Sequence, residues 1–254
     1  MQSKEIKRRL IETVHAKVAG SQTTTRYRTP LVGFASADDP RFNELKKILP
    51  EHLAPNDLLP GAKSVAAFFI PFSEDIVEAN SLDPEKVSPV WVTAYLETNR
   101  LINQICEKIV DDLSAIGVRA ATQPATHNFN PETLSCHWSH KSVAVICGLG
   151  SFGLNRMLIT AQGCAGRIGS LVLDAAIDPS PPLESDYCLY YAAGACAECV
   201  DLCPIGALDE NNGIDKPACH ARLKKNAEHV SNEGLADVCG KCAMGRCALQ
   251  NAAD

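Results

Sequence analysis

The chain has 254 residues, 46% of them hydrophobic, with a formal net charge of -6. That length suits one large domain, or a core domain with a small appendage, and the apolar content supports a real core. The negative balance provides no field for a phosphate backbone, and no apolar run approaches the ~20 residues of a membrane helix, so the bulk properties predict no nucleic-acid partner and no membrane.

The elements follow in chain order. Ile6, Leu10, Ile11, Val14 and Val18 recur near helical spacing among charges, which predicts an amphipathic N-terminal helix. Arg8-Arg9 is followed by no apolar stretch, so a twin-arginine export signal is not expected and the cytoplasm is the expected compartment. Pro60-Gly61 predicts a turn, and the apolar run Ser64 to Ile70 a buried strand. Tyr95, Leu101, Ile102, Ile105, Ile109, Val110, Leu113 and Ile116 form one stripe of a long helix, with Gly117 as its C-terminal cap and Tyr95 as a core residue. Short or central strands are expected at Val118 to Thr122, Lys141 to Cys147 and Ile168 to Ala175. Helices interleaved with apolar strands give an α+β fold, an α/β sandwich. The proline-rich stretch Asp178 to Pro182 divides the chain into residues 1–178 and 179–254.

Twelve cysteines need a role in a reducing compartment, where disulfides are rare and metal ligation is the better default. Cys106, Cys136, Cys147 and Cys164 are scattered, and Cys106 and Cys147 lie in apolar periodic segments as small core residues. The other eight, Cys188, Cys196, Cys199, Cys203, Cys219, Cys239, Cys242 and Cys247, fall in the last third. Eight thiolates are the ligand count of two [4Fe-4S] clusters. Cys196, Cys199 and Cys203-Pro204 match the end of a Cys-x2-Cys-x2-Cys-x3-Cys-Pro run, but Ala193 stands where its first cysteine belongs. In a two-cluster arrangement the cysteine before proline crosses over. Cys203 then joins Cys219, Cys239 and Cys242, while Cys196 and Cys199 join Cys247 and the displaced Cys188. Zinc between the two Cys-x2-Cys knuckles is the competing reading, and the Cys-x3-Cys-Pro continuation favours iron–sulfur. His220, beside Cys219, is expected in a supporting or solvent role.

Gly148, Gly150 and Gly153 match the G-x-G-x-x-G dinucleotide fingerprint, with Asp174 placed as a ribose-binding acid, so a nicotinamide site is a rival reading. Only a short helix fits between them, rather than a full crossover.

"LLPGAKSV", "GLGSFGLNRMLIT" and the late "CxxCxxxCP" together resemble the epoxyqueuosine reductase and reductive dehalogenase family, over roughly residues 30 to 250. The resemblance implies a nitroreductase-like domain that binds a corrinoid (cobalamin), followed by a small ferredoxin-like domain with two clusters. It assigns Gly148, Leu149, Gly150, Gly153 and Asn155 to the corrinoid domain. The family's upstream proton-donating acid has no obvious counterpart: Leu134 stands near its place, with Glu132 the nearest acid. The chain also stops at Asp254 with no helical-repeat extension, which again argues against tRNA.

Near that gap, Cys136-His-Trp-Ser-His140 offers His137 and His140 as proton donors, with His140 alternatively an axial cobalt ligand. The competing reading is a loop packed on Trp138 with solvent-facing histidines. Two functions stay open: a corrinoid-dependent reductase of a small molecule, or a cluster-based reductase of a partner such as a corrinoid protein, with a nicotinamide- or flavin-linked variant. Either would draw on a ferredoxin- or flavodoxin-type electron donor. A plain electron carrier leaves the large first domain without a role.

Overall fold

The computed structural model describes residues 2–126, 129–228 and 236–251. Met1, His127, Asn128 and residues 229–235 and 252–254, which the two expected domain spans include, lie outside the described residues. The first part contains α1 (Gln2–Ala19), β1 (Leu31–Ser36), α2 (Arg41–Ile48), α3 (Pro55–Leu58), β2 (Ser64–Pro71), α4 (Glu74–Ser81), α5 (Pro89–Ser114), β3 (Ala120–Thr122), β4 (Phe129–Asn130), β5 (Ser135–Cys136), α6 (His140–Ile146), β6 (Gly150–Phe152), β7 (Leu158–Thr160) and β8 (Gly166–Leu173). Then follow α7 (Leu189–Ala193), α8 (Glu198–Asp201), β9 (Leu208–Asp209), β10 (Gly213–Ile214), α9 (Lys216–Glu228) and a 3-10 turn at Lys241–Ala243.

Strand β2 is apolar without alternation because both of its faces are covered. All eight of its residues are buried. It lies inside a four-stranded sheet of order β1-β2-β8-β3, and every pairing is antiparallel. Successive side chains point to opposite faces. Ala66, Phe68 and Ile70 therefore pack with Leu10 of α1 and with Leu101, Ile102 and Ile105 of α5. Val65, Ala67 and Phe69 pack on the other face with Trp138 and with Val143 and Ala144 of α6. The result is a helix–sheet–helix sandwich. The long α5 starts at Ser88, whose hydroxyl accepts from the Val90 N–H. It ends before Gly117, which takes the left-handed conformation at φ 76°.

One expectation is corrected. The run Lys141 to Cys147 is helical, as α6, and not a central strand. Its β-branched content misleads, since strand preference is largely packing context. Ser139 caps the helix by accepting from the Ser142 N–H, and Val143, Ala144 and Ile146 bury one face on the sheet. The proline-rich stretch packs on the sheet: Ser180 exchanges hydrogen bonds with Phe34 of β1, through its N–H and its hydroxyl, both at 2.9 Å.

The last third also shares core with the first. Ala236, Val238 and Ala248 pack with Phe72, Ile76, Trp91 and Tyr95. The Arg28 guanidinium fastens this junction, donating to the carbonyls of Phe72, Leu249 and Gln162 at 2.8, 2.8 and 2.7 Å. Arg28→Ala strips donors from three half-buried carbonyls. It is expected to lower stability by about 2–3 kcal/mol, read as a reduced urea midpoint at unchanged m-value.

Candidate functional site

The short elements after residue 179 bring the late cysteines together in two sets. Cys188 precedes α7, Cys196 and Cys199 flank the start of α8, and Cys247 returns at the end of the chain. These four line one cavity, together with Leu154, Asn155 and Ile159. Cys203, Cys219, Cys239 and Cys242 line the wall of a second cavity of about 290 Å³. Electrostatics give the same partition. Burial pushes the Cys199 thiol up to about 12, and the thiols adding to that push are Cys247, Cys188 and Cys196. Burial likewise pushes Cys242 up to about 12, with Cys239, Cys219 and Cys203 its strongest thiol neighbours. Among the described residues, no three His, Cys, Asp or Glu side chains close around one ion position. Each set instead faces a cavity. Crowding four thiols away from water is unfavourable for proton loss, and a coordinating metal reverses that sign by deprotonating them outright. The donor sets therefore fit a multi-iron group. The Ala207 N–H points at Cys203 Sγ at 3.2 Å, the kind of contact that tunes a cluster.

A ninth thiol sits at the junction. Cys164 Sγ lies 3.8 Å from Cys247 Sγ, and its backbone N–H donates to the Cys247 carbonyl at 2.9 Å. Asn155 lines both cavities and donates from Nδ2 to the Cys242 carbonyl at 3.0 Å, while its Oδ1 accepts from the Met157 N–H.

The glycine fingerprint does other work here. Gly148 is the left-handed residue just past α6, where its N–H bonds the Val145 carbonyl and the Leu149 N–H bonds the Ala144 carbonyl. Gly150 lies in the β6–β7 hairpin, where a Cβ would meet the Ile159 carbonyl at 2.0 Å. Gly153 packs against Asn155, and Leu149 is buried in the core. No strand–glycine turn–helix unit is formed, and Asp174 bonds Arg119 rather than facing a ribose site. Of the five family-matched residues, Asn155 is the one that lines the two cysteine cavities.

The second cysteine cavity adjoins another of about 350 Å³, and Lys141, Met157, Gly166 and Arg167 line both. Here lies a constellation that sequence reasoning missed. The Tyr95 hydroxyl donates to Asp237 Oδ1 at 2.7 Å, and the Arg167 guanidinium lies over the Tyr95 ring at 4.4 Å. Arg167 Nε donates to Asn99 at 2.9 Å, and Lys141 Nζ to the Arg156 carbonyl at 2.9 Å. Burial raises Tyr95 and lowers Lys141 and Arg167. Tyr95 stands on an apolar stripe and reads as core. The available signal was a charge at the head of each of two apolar runs, Lys141 and Arg167.

The two predicted histidines part company. His137 is exposed and lines neither cavity. His140 is buried and lines the adjoining cavity, but both its nitrogens are engaged. Nε2–H donates to the Pro124 carbonyl at 3.0 Å, which leaves Nδ1 to accept from the Ser170 hydroxyl at 2.8 Å. Ser170 Oγ in turn accepts from Trp138 Nε1 at 2.9 Å. Burial lowers His140 to about 4. His220 meets Phe129 edge-on, and Glu132 is exposed.

No family model matches the chain. It is 24% identical over 226 residues to the epoxyqueuosine reductase of Bacillus cereus, covering 80% of this chain and 54% of that one. An epoxyqueuosine reductase from Cyclobacterium marinum is 35% identical over 81 residues, 32% of this chain. In fold, the chain superposes on an epoxyqueuosine reductase solved with an epoxyqueuosine-modified tRNA-Tyr stem loop, at TM-score 0.63 and 19% identity, covering 95% of this chain and 64% of that one. Over four fifths of its length the chain is similar in sequence to epoxyqueuosine reductases. It spans about half the length of the curated epoxyqueuosine reductases it matches. A catabolic reductive dehalogenase shares the fold at TM-score 0.55 and 18% identity, over 85% of this chain and 29% of its own. The expectation of no nucleic-acid partner is corrected here, because a neighbour with this fold is solved bound to a tRNA stem loop. Net charge is a sum over the molecule and does not describe the local field at one face. No helix among the described residues is long and apolar enough to cross a membrane.

If each thiol set holds a four-iron cluster, Cys188→Ala is expected to cost about four irons per chain, or to leave a three-iron signal, whereas Cys164→Ala keeps the full complement. Iron and acid-labile sulfide assays of both variants check this. His140 predicts a pH dependence as well. Its folded value lies below the ordinary 6.5, so the unfolded chain binds the extra proton as pH falls from about 6.5 to about 4. Stability held above pH 6.5 is lost across that window, by about 3 kcal/mol from this group. His52, lowered by burial, acts in the same direction. His140→Asn should flatten the fall in denaturant midpoint between pH 6.5 and 4.

Proposed function

We propose that this protein is a low-potential iron–sulfur reductase. In this reading Cys188, Cys196, Cys199 and Cys247 hold one [4Fe-4S] cluster, and Cys203, Cys219, Cys239 and Cys242 hold the second. Residues 179–254 then act as a ferredoxin-like module that receives electrons from a ferredoxin- or flavodoxin-type donor, with the cytoplasm as the proposed compartment. The observation that carries the proposal is the partition of eight thiols into two sets of four, the second of which opens on a cavity lined by Tyr95, Lys141, Arg167 and Asp237.

The paired cavities fit a corrinoid on the chemistry of their walls. Trp91 Nε1 and Arg222 Nε are buried without a partner, and both residues line the second cysteine cavity. A large flat ligand with carbonyl acceptors on its rim suits such donors. When bound, a corrinoid supplies a cobalt centre that accepts low-potential electrons and reacts with reducible groups. Tyr95 holds a proton at Oη, and burial keeps it there until the substrate needs it. Asp237 fixes the hydroxyl direction, and Arg167 over the ring stabilises the negative charge that proton transfer leaves behind. His140 supports the cavity wall through Ser170 and Trp138, so in this reading the proton donor is Tyr95 rather than His137 or His140. The fingerprint glycines serve a helix end and a hairpin, which leaves no phosphate-binding turn for a nicotinamide cofactor.

Epoxyqueuosine in a tRNA stem loop is the substrate to try first, given the similarity of four fifths of this chain to epoxyqueuosine reductases. Oxygen-free protein offered cobalamin should retain about one cobalt per chain through gel filtration. Tyr95→Phe should retain it too, while reduction of the stem loop by titanium(III) citrate slows by about 100-fold or more. Failure to retain cobalamin contradicts the corrinoid reading. Unchanged turnover in Tyr95→Phe contradicts the role given to that hydroxyl.

A further inference from the structure

Between two of the proposed ligands, Cys239 and Cys242, lies a lysine that is almost wholly buried. Lys241 is 3% exposed. Its Nζ donates to the Asp83 carbonyl at 2.7 Å, to Asn80 Oδ1 at 3.3 Å, and to the Asn80 carbonyl in a short bond. Three acceptors around one nitrogen require three N–H donors, and a lysine has three only as the ammonium ion. A charge is normally kept out of such a place because its desolvation is costly. The turn that carries it is built tightly. Gly240 takes φ 75°, and a Cβ there would strike the Trp91 indole at 2.5 Å. Asn80, itself fully buried, donates to the Cys239 carbonyl at 3.1 Å and accepts from the Ser88 N–H at 3.0 Å. The other charges near Lys241 are Asp83 and Arg222.

Resting on the cluster reading above, we infer that Lys241 is a positioning residue that acts through its charge, and that its buried ammonium raises the reduction potential of the cluster held by Cys203, Cys219, Cys239 and Cys242. A four-iron cluster with four thiolates gains negative charge on reduction, and net charge around a cluster sets its potential. A fixed cation in a low-dielectric wall is screened little by salt. The second cluster is thereby made a better electron acceptor than it would be without the lysine, and it is the one whose ligands line the cavity with Tyr95.

The test is a redox titration followed by electron paramagnetic resonance, on the full chain prepared without oxygen. Lys241→Met removes the charge. Lys241→Arg keeps the charge, so it separates loss of charge from a variant that merely loosens the turn. Both should keep the iron content of the parent. Lys241→Met should lower one cluster's potential by an amount equal to about a tenfold loss in its equilibrium constant for reduction, 59 mV for one electron, while Lys241→Arg stays near the parent value. The other cluster should stay put. An unshifted potential in Lys241→Met with iron intact, or an equal shift in Lys241→Arg, overturns the inference and leaves Lys241 a clamp alone. A parent protein with no iron defeats the cluster reading first, and this inference with it.

Discussion

Two backbone hydrogen bonds near the chain's end govern most of what the cysteines can do. The N–H groups of Cys164 and Ala165 donate to the carbonyls of Cys247 and Ala248, at 2.9 and 3.0 Å. Ala165 also accepts from Phe72 at 2.9 Å, so the final segment is laid against the residues that enter β8. Buried backbone groups must be paired, which gives this segment one register rather than a choice. A slip by one residue would turn Cys247 away from Cys188, Cys196 and Cys199. The Arg28 guanidinium, holding the Leu249 and Gln162 carbonyls, fixes the same junction from outside. The first cysteine set is therefore completed by tertiary structure, not by its local motif.

That explains which features the sequence exposes. The gathering of eight late thiols is legible because their spacings are short, and the structure places Cys188 beside Cys196, Cys199 and Cys247. The buried strand Ser64–Pro71 and the helix Pro89–Ser114 are legible because their apolar patterns are long. The helix at His140–Ile146 is not, since seven residues rich in Val and Ile carry no decisive period and the sheet face decides their state. The glycine fingerprint misleads for a related reason: a helix end, a close hairpin and a phosphate loop all require glycine. Least legible is the cavity. Tyr95, Lys141, Arg167 and Asp237 come from α5, α6, β8 and the segment before Cys239, and no spacing links them.

Charge follows a similar division between whole and part. The chain is acidic in sum, yet Lys141, Arg167, Arg222 and Lys241 all line the cavity beside the second cysteine set, with Asp237 also in its wall. In a medium of low effective dielectric such groups act strongly on each other and on anything bound there. Burial keeps Tyr95 protonated and His140 neutral, so the hydrogen bonds of the wall are set by the fold itself. The same wall offers cations to the charge that a reduced cluster and a deprotonated tyrosine would develop.

The central claim is that the two sets of thiols each hold a four-iron cluster. Iron, acid-labile sulfide and zinc per chain, measured on protein purified without oxygen, test it most directly. The account predicts about eight irons and about eight sulfides, with zinc near zero. About four irons, or stoichiometric zinc without sulfide, would contradict it.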